Sequence, residues 1–264
     1  MRKPLLVIEV GNSRLKVGLF DRDEITDDKL PVCREFLVQD VSLTMPIESV
    51  ETWLAESPQP VPAIVTGSFP EGVEKLCRSW SSTTIARPAV LSDRALLPIV
   101  SNVKSPERVG IDRLLGAVAA NRLRREGQAA VVVDSGTATT VNLIDEEGVF
   151  QGGAILPGLR LSARALHEYT QLLPDIPLEE IEAESREPVG KETREAIRSG
   201  LFWGQIGAIR ELTARCSAGR SEPLLALSGG GGSLMRGVLS EFQFYPHFSL
   251  QGFATIWDSV VKNP

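Results

Sequence analysis

The chain has few of the residues that build covalent frameworks or soft-metal sites. Only three of its 264 residues are cysteines, Cys33, Cys77 and Cys216, far apart and without a CxxC spacing. That excludes a disulfide framework and a cysteine zinc site. The two histidines, His167 and His247, are isolated, so no metal cluster is built on histidine. Lysine and arginine form no block long enough for a nucleic-acid footprint, and the formal net charge is −6. The nearest cluster, Arg122, Arg124 and Arg125, precedes Gly127 at the end of a helical pattern, where cations complement the helix dipole. Long apolar runs are also missing. The opening "MRKPLLVIEVGNS" is basic and then apolar, but Glu9 and Gly11 cut it short of a signal-peptide core, and no stretch is long enough to span a membrane. A cytoplasmic, soluble protein with no nucleic-acid or membrane partner is expected.

Hydrophobic residues make up 42% of the chain, enough for a large core and for one or two domains. Two segments share one plan. "LLVIEVGNSRLKVGLFD" (5–21) and "AVVVDSGTATTVNLID" (130–145) each run an apolar strand into a carboxylate, then one residue, a glycine, small polar residues and a second alternating strand. Glu9 matches Asp134, Gly11 matches Gly136, Asn12 matches Thr137, and each second strand closes in an acidic turn. This pattern predicts a duplicated β-hairpin and two similar α/β domains.

Further strands are expected at 61–69 and 96–103, and a helix over 106–127 with Ile111, Leu114, Leu115 and Val118 at helical spacing. A turn at Pro157-Gly158 should open a helix whose apolar face carries Leu161, Ala165 and Leu166. The acidic stretch from Asp175 to Glu187 reads as a loop. A helix over 193–216 has Thr193 as its expected cap. Gly200, Gly204 and Gly207 inside it should let another backbone approach, within the domain or across a dimer. A strand at 224–228, the run "GGGG" (229–232), a helix near 233–242 and a last segment at 248–261 close the chain.

A carboxylate just past a strand, followed by glycine and hydroxyl residues, suits a nucleotide triphosphate. Without Cβ atoms, Gly11 and Gly136 let backbone N–H groups reach phosphate oxygens. The hydroxyls of Ser13, Thr137, Thr139 and Thr140 add donors, and Lys16 adds a point charge. Glu9 and Asp134 would hold cations that screen the phosphates. "SGGGGS" (228–233) has a linker's composition, yet its strand-to-helix setting suits close approach to a nucleotide. For Asp112 and Arg113, beside Gly110, two readings stand: a first-turn aspartate with an exposed arginine, or a general base with an anion holder.

With these residues the chain resembles the type III pantothenate kinases of the acetate and sugar kinase, heat-shock 70 and actin superfamily. The resemblance spans about 5 to 255 and is carried by "EVGNSRLK", "VGIDR", "VVVDSGTATT", "GGAILPGL", the "LLP" after it, "GKET", "LSGG" and "LQGF" in that order. It implies two ribonuclease-H-like domains with a nucleotide cleft between them, an actin-like ATPase fold, divided at 1–124 and 125–264. It implies ATP-dependent phosphorylation of pantothenate with Mg2+ and a monovalent cation, K+ or NH4+, by a homodimer whose substrate pocket forms at the subunit interface. By position, Glu9, Val10, Gly11, Asn12, Ser13, Arg14, Leu15 and Lys16 would form the first phosphate loop, and Thr137 would contact ATP. Asp134 would bind the monovalent cation and Asp112 would be the general base. Gly110, Ile111, Asp112, Arg113 and Thr193 would line the pantothenate site.

Three positions depart from the family pattern: Glu9 replaces an aspartate, Val103 stands where a tyrosine is common, and Gly231-Gly232 lacks the acid of a "GGDA"-like loop. These departures leave room for an altered acceptor, or for a non-catalytic nucleotide-binding paralogue with a regulatory role.

Overall fold

A computed structural model describes residues 3–25, 30–42, 44–55, 57, 60–184 and 187–262. In chain order the elements begin with strands β1 (Pro4–Val10), β2 (Arg14–Ile25) and β3 (Pro31–Asp40), then α1 (Ile47–Thr52), β4 (Ala63–Gly67), α2 (Pro70–Arg78), β5 (Ala89–Val90) and α3 (Ile111–Leu123). There follow β6 (Ala130–Ser135), β7 (Ala138–Ile144), β8 (Phe150–Pro157), α4 (Leu159–Glu168), α5 (Leu178–Glu184) and α6 (Thr193–Cys216). The chain ends with β9 (Leu224–Ser228), α7 (Gly230–Met235), β10 (Gln243–Phe244), α8 (Phe248–Thr255) and α9 (Trp257–Lys262).

The two sheets repeat one topology. The first has the order β3-β2-β1-β4-β5 and the second β10-β9-β6-β7-β8. In each, three antiparallel strands come first in sequence and two parallel strands extend the sheet on the other side of the first strand. This is the ribonuclease-H-like arrangement, present twice, as the duplicated hairpin predicts. The central strands explain why: β1 and β6 pair on both edges, so they read as near-continuous apolar runs rather than alternating ones.

The chain divides into two compact units. One runs to Leu123 and takes in the chain from His247 onward; the other is Arg124–Pro246. The first unit is thus discontinuous in sequence, because the last helices return to it. The reason lies at Gly252 in α8, where a Cβ would run into the Leu115 carbonyl of α3. Backbones that close need a residue without a side chain. On one face of the first sheet Leu6, Ile8 and Val10 form a core with Val17, Val65, Val50, Leu54 and Val73. In the second unit Val131, Val133, Val141 and Leu227 pack with Leu201, Phe202, Ile206 and Ile209 of α6.

Several expectations need correction. Residues 96–103 form no named strand; Pro98 lacks an N–H for a ladder, Val100 is exposed, and the edge position belongs to Ala89–Val90. The 106–127 helix is a short 3-10 turn at Pro106–Arg108 followed by α3, so only Arg122 lies in its last turn. Arg124 instead donates to the carbonyls of Gln128 and Glu146 at 3.1 and 2.8 Å. The acidic stretch contains helix α5, anchored by buried Ile176 and Ile181, and Glu180 pairs with Arg194 and Arg198; Ser185 and Arg186 lie outside the described residues. In α4 the buried residues are Leu159 and Ala163, and Leu161 is exposed. Thr193 is the first helical residue of α6, with Glu192 as its cap and no capping side-chain bond.

Candidate active site

In the first unit the β1–β2 hairpin turns through Gly11, whose N–H donates to the Arg14 carbonyl at 2.8 Å. The side chains of Val10 and Leu15 are buried in the core, so only their backbone belongs to the loop; Asn12 is exposed, and Gly11, Ser13, Arg14 and Lys16 are half-buried. Glu9 is 4% exposed and faces Lys16 directly across the ladder. Its Oε1 accepts from Lys16 Nζ at 2.9 Å and its Oε2 from Ser249 Oγ at 2.5 Å. The cation held by this carboxylate within the chain is thus the Lys16 ammonium. Behind the hairpin, a Cβ on Gly67 would strike the Val10 backbone. Glycine there lets β4 close on the strand that delivers the acid.

The second unit repeats this with changes. Gly136 N–H donates to the Ala138 carbonyl at 2.9 Å, in a turn one residue shorter. Asp134 is half-buried and stands opposite Thr140, and Gly136 and Thr137 are exposed. Ser135 and Thr139 share a buried hydroxyl–hydroxyl bond of 2.9 Å. Gly229 has φ +86°, and a Cβ on it would meet the Ser135 carbonyl and the Asp134 carboxylate. Gly158, at the start of α4, donates its N–H to the Thr137 carbonyl at 3.0 Å and leaves no room for a Cβ beside Gly136. "GGGG" is therefore not a linker: Gly229 ends the strand's approach and Gly230 begins α7. The acid missing at Gly231 also has a steric reason, because a Cβ there would press on Ser135 Oγ.

Gly110 opens α3, its carbonyl accepting from the N–H groups of Arg113 and Leu114 at 3.1 and 3.4 Å. Ile111 is buried in the core, while Asp112 and Arg113 are half-buried. Asp112 folds back over Gly110, where a Cβ would stand 2.5 Å from its Oδ1. Burial pushes the Arg113 guanidinium below its usual range, and the Asp112 charge opposes that shift. Arg94 Nε ties down the segment by donating to the Val109 carbonyl at 3.0 Å. Val103 is half-buried and Thr193 is exposed at the start of α6 in the second unit.

The first unit thus brings Glu9, Lys16 and Ser249 into contact, and the second brings together Asp134, Ser135, Thr137, Gly158 and Gly229. Ser249 and Gly67 fall in none of the motifs read from the sequence, whereas Gly158 lies in "GGAILPGL". Only the repeat of strand–glycine–helix after β4 and β9 could have pointed to Gly67. Among the described residues no group of three or more His, Cys, Asp or Glu could hold a metal ion, and no helix is long and apolar enough to cross a membrane.

Two ribonuclease-H-like sheets, each ending its first strand on an acid before a glycine turn, define an actin-like ATPase fold. The same fold is seen in a Campylobacter jejuni protein described as a Baf family transcriptional activator (TM-score 0.58, 16% identity, 97% of this chain and 99% of that one). It is also seen in component A of (R)-2-hydroxyglutaryl-CoA dehydratase from Acidaminococcus fermentans (TM-score 0.52, 15% identity, 98% of each chain). Within that class a profile of the type III pantothenate kinases matches residues 5–215. The type III pantothenate kinase of Persephonella marina is 30% identical over 257 residues, 96% of this chain and 98% of its own. That of Phenylobacterium zucineum is 34% identical over 196 residues, 74% of each chain. The chain belongs to the type III pantothenate kinase family.

Proposed function

We propose that the chain transfers the γ-phosphoryl group of ATP to the primary hydroxyl of pantothenate, the first step towards coenzyme A. The observation that carries this reading, beyond family membership, is the pair of acid–glycine hairpins whose turns bring Asn12 and Thr137 to the surface. Phosphoryl transfer asks for positioning and charge stabilisation rather than covalent chemistry. Residues 9–16 offer backbone N–H groups, the Ser13 hydroxyl and the Lys16 ammonium to the phosphates, and Thr137 offers its hydroxyl and amide. Asp112, folded over Gly110, takes the proton from the attacking hydroxyl, and Arg113 holds the carboxylate of pantothenate. Gly110, Ile111 and Thr193 complete the acceptor site.

A kinase of this family works with ATP and a divalent metal. We assign Mg2+, which keeps near-ideal octahedral oxygen coordination and is bound largely through substrate phosphates. That suits a chain in which Glu9 already has Lys16 and Ser249 as partners. Asp134, a hard oxygen donor, would hold K+ or NH4+, which supplies positive charge beside the phosphates. We further assign a homodimer. The face of α6 bearing Gly200, Gly204 and Gly207 supports it: a Cβ at any of the three meets nothing within 4 Å, so no backbone among the described residues accounts for them. Gly204→Arg is expected to halve the mass seen by light scattering; an unchanged dimer would remove α6 from the interface.

The test is phosphopantothenate formation with ATP, magnesium and ammonium. The wild type should turn over and Asp112→Asn should lose about 10²–10⁴-fold, the usual weight of a general base. Equal rates in the two proteins would refute the assignment of Asp112. No product from the wild type would instead favour a nucleotide-binding paralogue.

A further inference from the structure

Helix α8 reaches the acid of the first hairpin through Ser249. Ser249 lies in the second position of α8, 240 residues from Glu9, and is buried. Its hydroxyl donates to Glu9 Oε2 at 2.5 Å, while Glu9 Oε1 accepts from Lys16 at 2.9 Å. The two carboxylate oxygens are thus divided between two donors on different elements. α8 is in turn fixed by Gly252 against the Leu115 carbonyl and by Gln251 Nε2 donating to the Pro31 carbonyl at 3.1 Å. The anchor is therefore rigid, whereas Lys16, on the half-buried end of the relay, has a flexible stem.

We infer that Ser249 is a positioning residue for the nucleotide: by holding one oxygen of Glu9 it fixes the other, and so fixes where Lys16 presents its ammonium. This rests on the reading of residues 9–16 as the phosphate loop. With Ser249 absent, both carboxylate oxygens are free to turn to Lys16, and the ammonium is drawn back onto Glu9 and away from the phosphates. A hydrogen bond to a charged group is stronger than a neutral one and correspondingly directional. The extra methylene of Glu9 relative to aspartate gives the carboxylate the reach for both donors.

The experiment is calorimetric binding of ATP with magnesium, which needs no turnover. Ser249→Ala should raise the ATP Kd about three- to tenfold, less than the full weight of a lost hydrogen bond to a charged group, because the effect reaches the phosphates only through Glu9 and Lys16. Ser249→Thr should restore it, and Ser249→Cys, with a weaker donor, should fall between. In a Lys16→Met background, Ser249→Ala should change the Kd no further, because the relay then has no endpoint. A merely structural role would lower the unfolding temperature and leave that coupling absent. A wild-type Kd in Ser249→Ala, or the same rise with and without Lys16, overturns the inference while the phosphate loop stands. Wild-type protein that binds no ATP overturns both. If Ser249→Ala does not fold, the Ser249→Cys and Ser249→Thr proteins carry the same comparison.

Discussion

In the first unit Glu9 faces Lys16 across its hairpin; in the second, Asp134 faces Thr140 at the corresponding place. The strand beyond each acid pairs in the same way, Glu9 beside Thr66 and Asp134 beside Ser228, and a glycine follows both. Yet the longer acid is partnered by an ammonium and a buried serine, while the shorter one stands across from a hydroxyl. One duplicated scaffold thus presents two kinds of charge. The first hairpin sets its acid against a cation of its own, and the second sets its acid opposite a threonine. The acidic stretches expected to close both second strands differ as well, since Asp145 follows β7 in a turn whereas Asp21 lies within β2. Asp145 accepts from the N–H groups of Glu147 and Val149, and Asp21 from that of Asp23.

The largest effect that separates the hairpins should come from the acids themselves. Asp134→Asn is expected to raise the ammonium or potassium needed for half-maximal rate by about 10–100-fold, the weight of a disturbed cation site. Glu9→Gln should leave that requirement where it was. If both variants shift it equally, the division of labour is wrong.

The glycines behind the acids come next. Gly229→Ala forces a left-handed backbone on alanine at a cost of about 1–3 kcal/mol and adds a collision with Ser135 and Asp134. Gly67→Ala adds only the collision with Val10. Chemical denaturation should rank Gly229→Ala as the more damaging change. Restoring an acid by Gly231→Asp should cost about 1–3 kcal/mol through overpacking, and Ser135→Ala should recover part of it, since Ser135 Oγ is what the new Cβ meets.

A smaller effect concerns pH. His247 stacks on Phe36 at 4.3 Å, its Nδ1 is buried without a hydrogen bond among the described residues, and burial, then Lys16, holds its pKa below the usual value. The unfolded chain therefore takes up the proton first. Stability from this group is full above about pH 6.5 and declines as the pH drops from there towards the folded value. His247→Gln should flatten the thermal-unfolding profile across that window and leave it unchanged at higher pH. Cys33, whose thiol burial pushes up to about 12, with Glu35 adding to the shift, should stay unreactive to alkylating agents throughout.

Much of the fold is written locally. The hairpins are legible because β-branched runs, a single acid and a glycine fall within a few residues, and α6 because Phe202, Ile206 and Ile209 recur on one face. What escapes a linear reading is set by distant partners. Apolar "LLPIV" resembles a strand, but Pro98 cannot feed a ladder. The acidic composition of α5 hides Ile181, which only the core of the second unit explains. The return of α8 to the first unit depends on one glycine against Leu115, and the Ser249 contact spans 240 residues. The missing acid at Gly231 is visible in the sequence, but the Ser135 hydroxyl that a Cβ there would meet is not.

The proposed phosphate-binding role of each hairpin is tested most directly by amide hydrogen exchange with and without ATP and magnesium. The amides of Asn12 and Ser13 in the first hairpin and of Thr137 in the second are expected to become protected at the same nucleotide concentration. Protection of one hairpin alone, or of neither, would contradict that role.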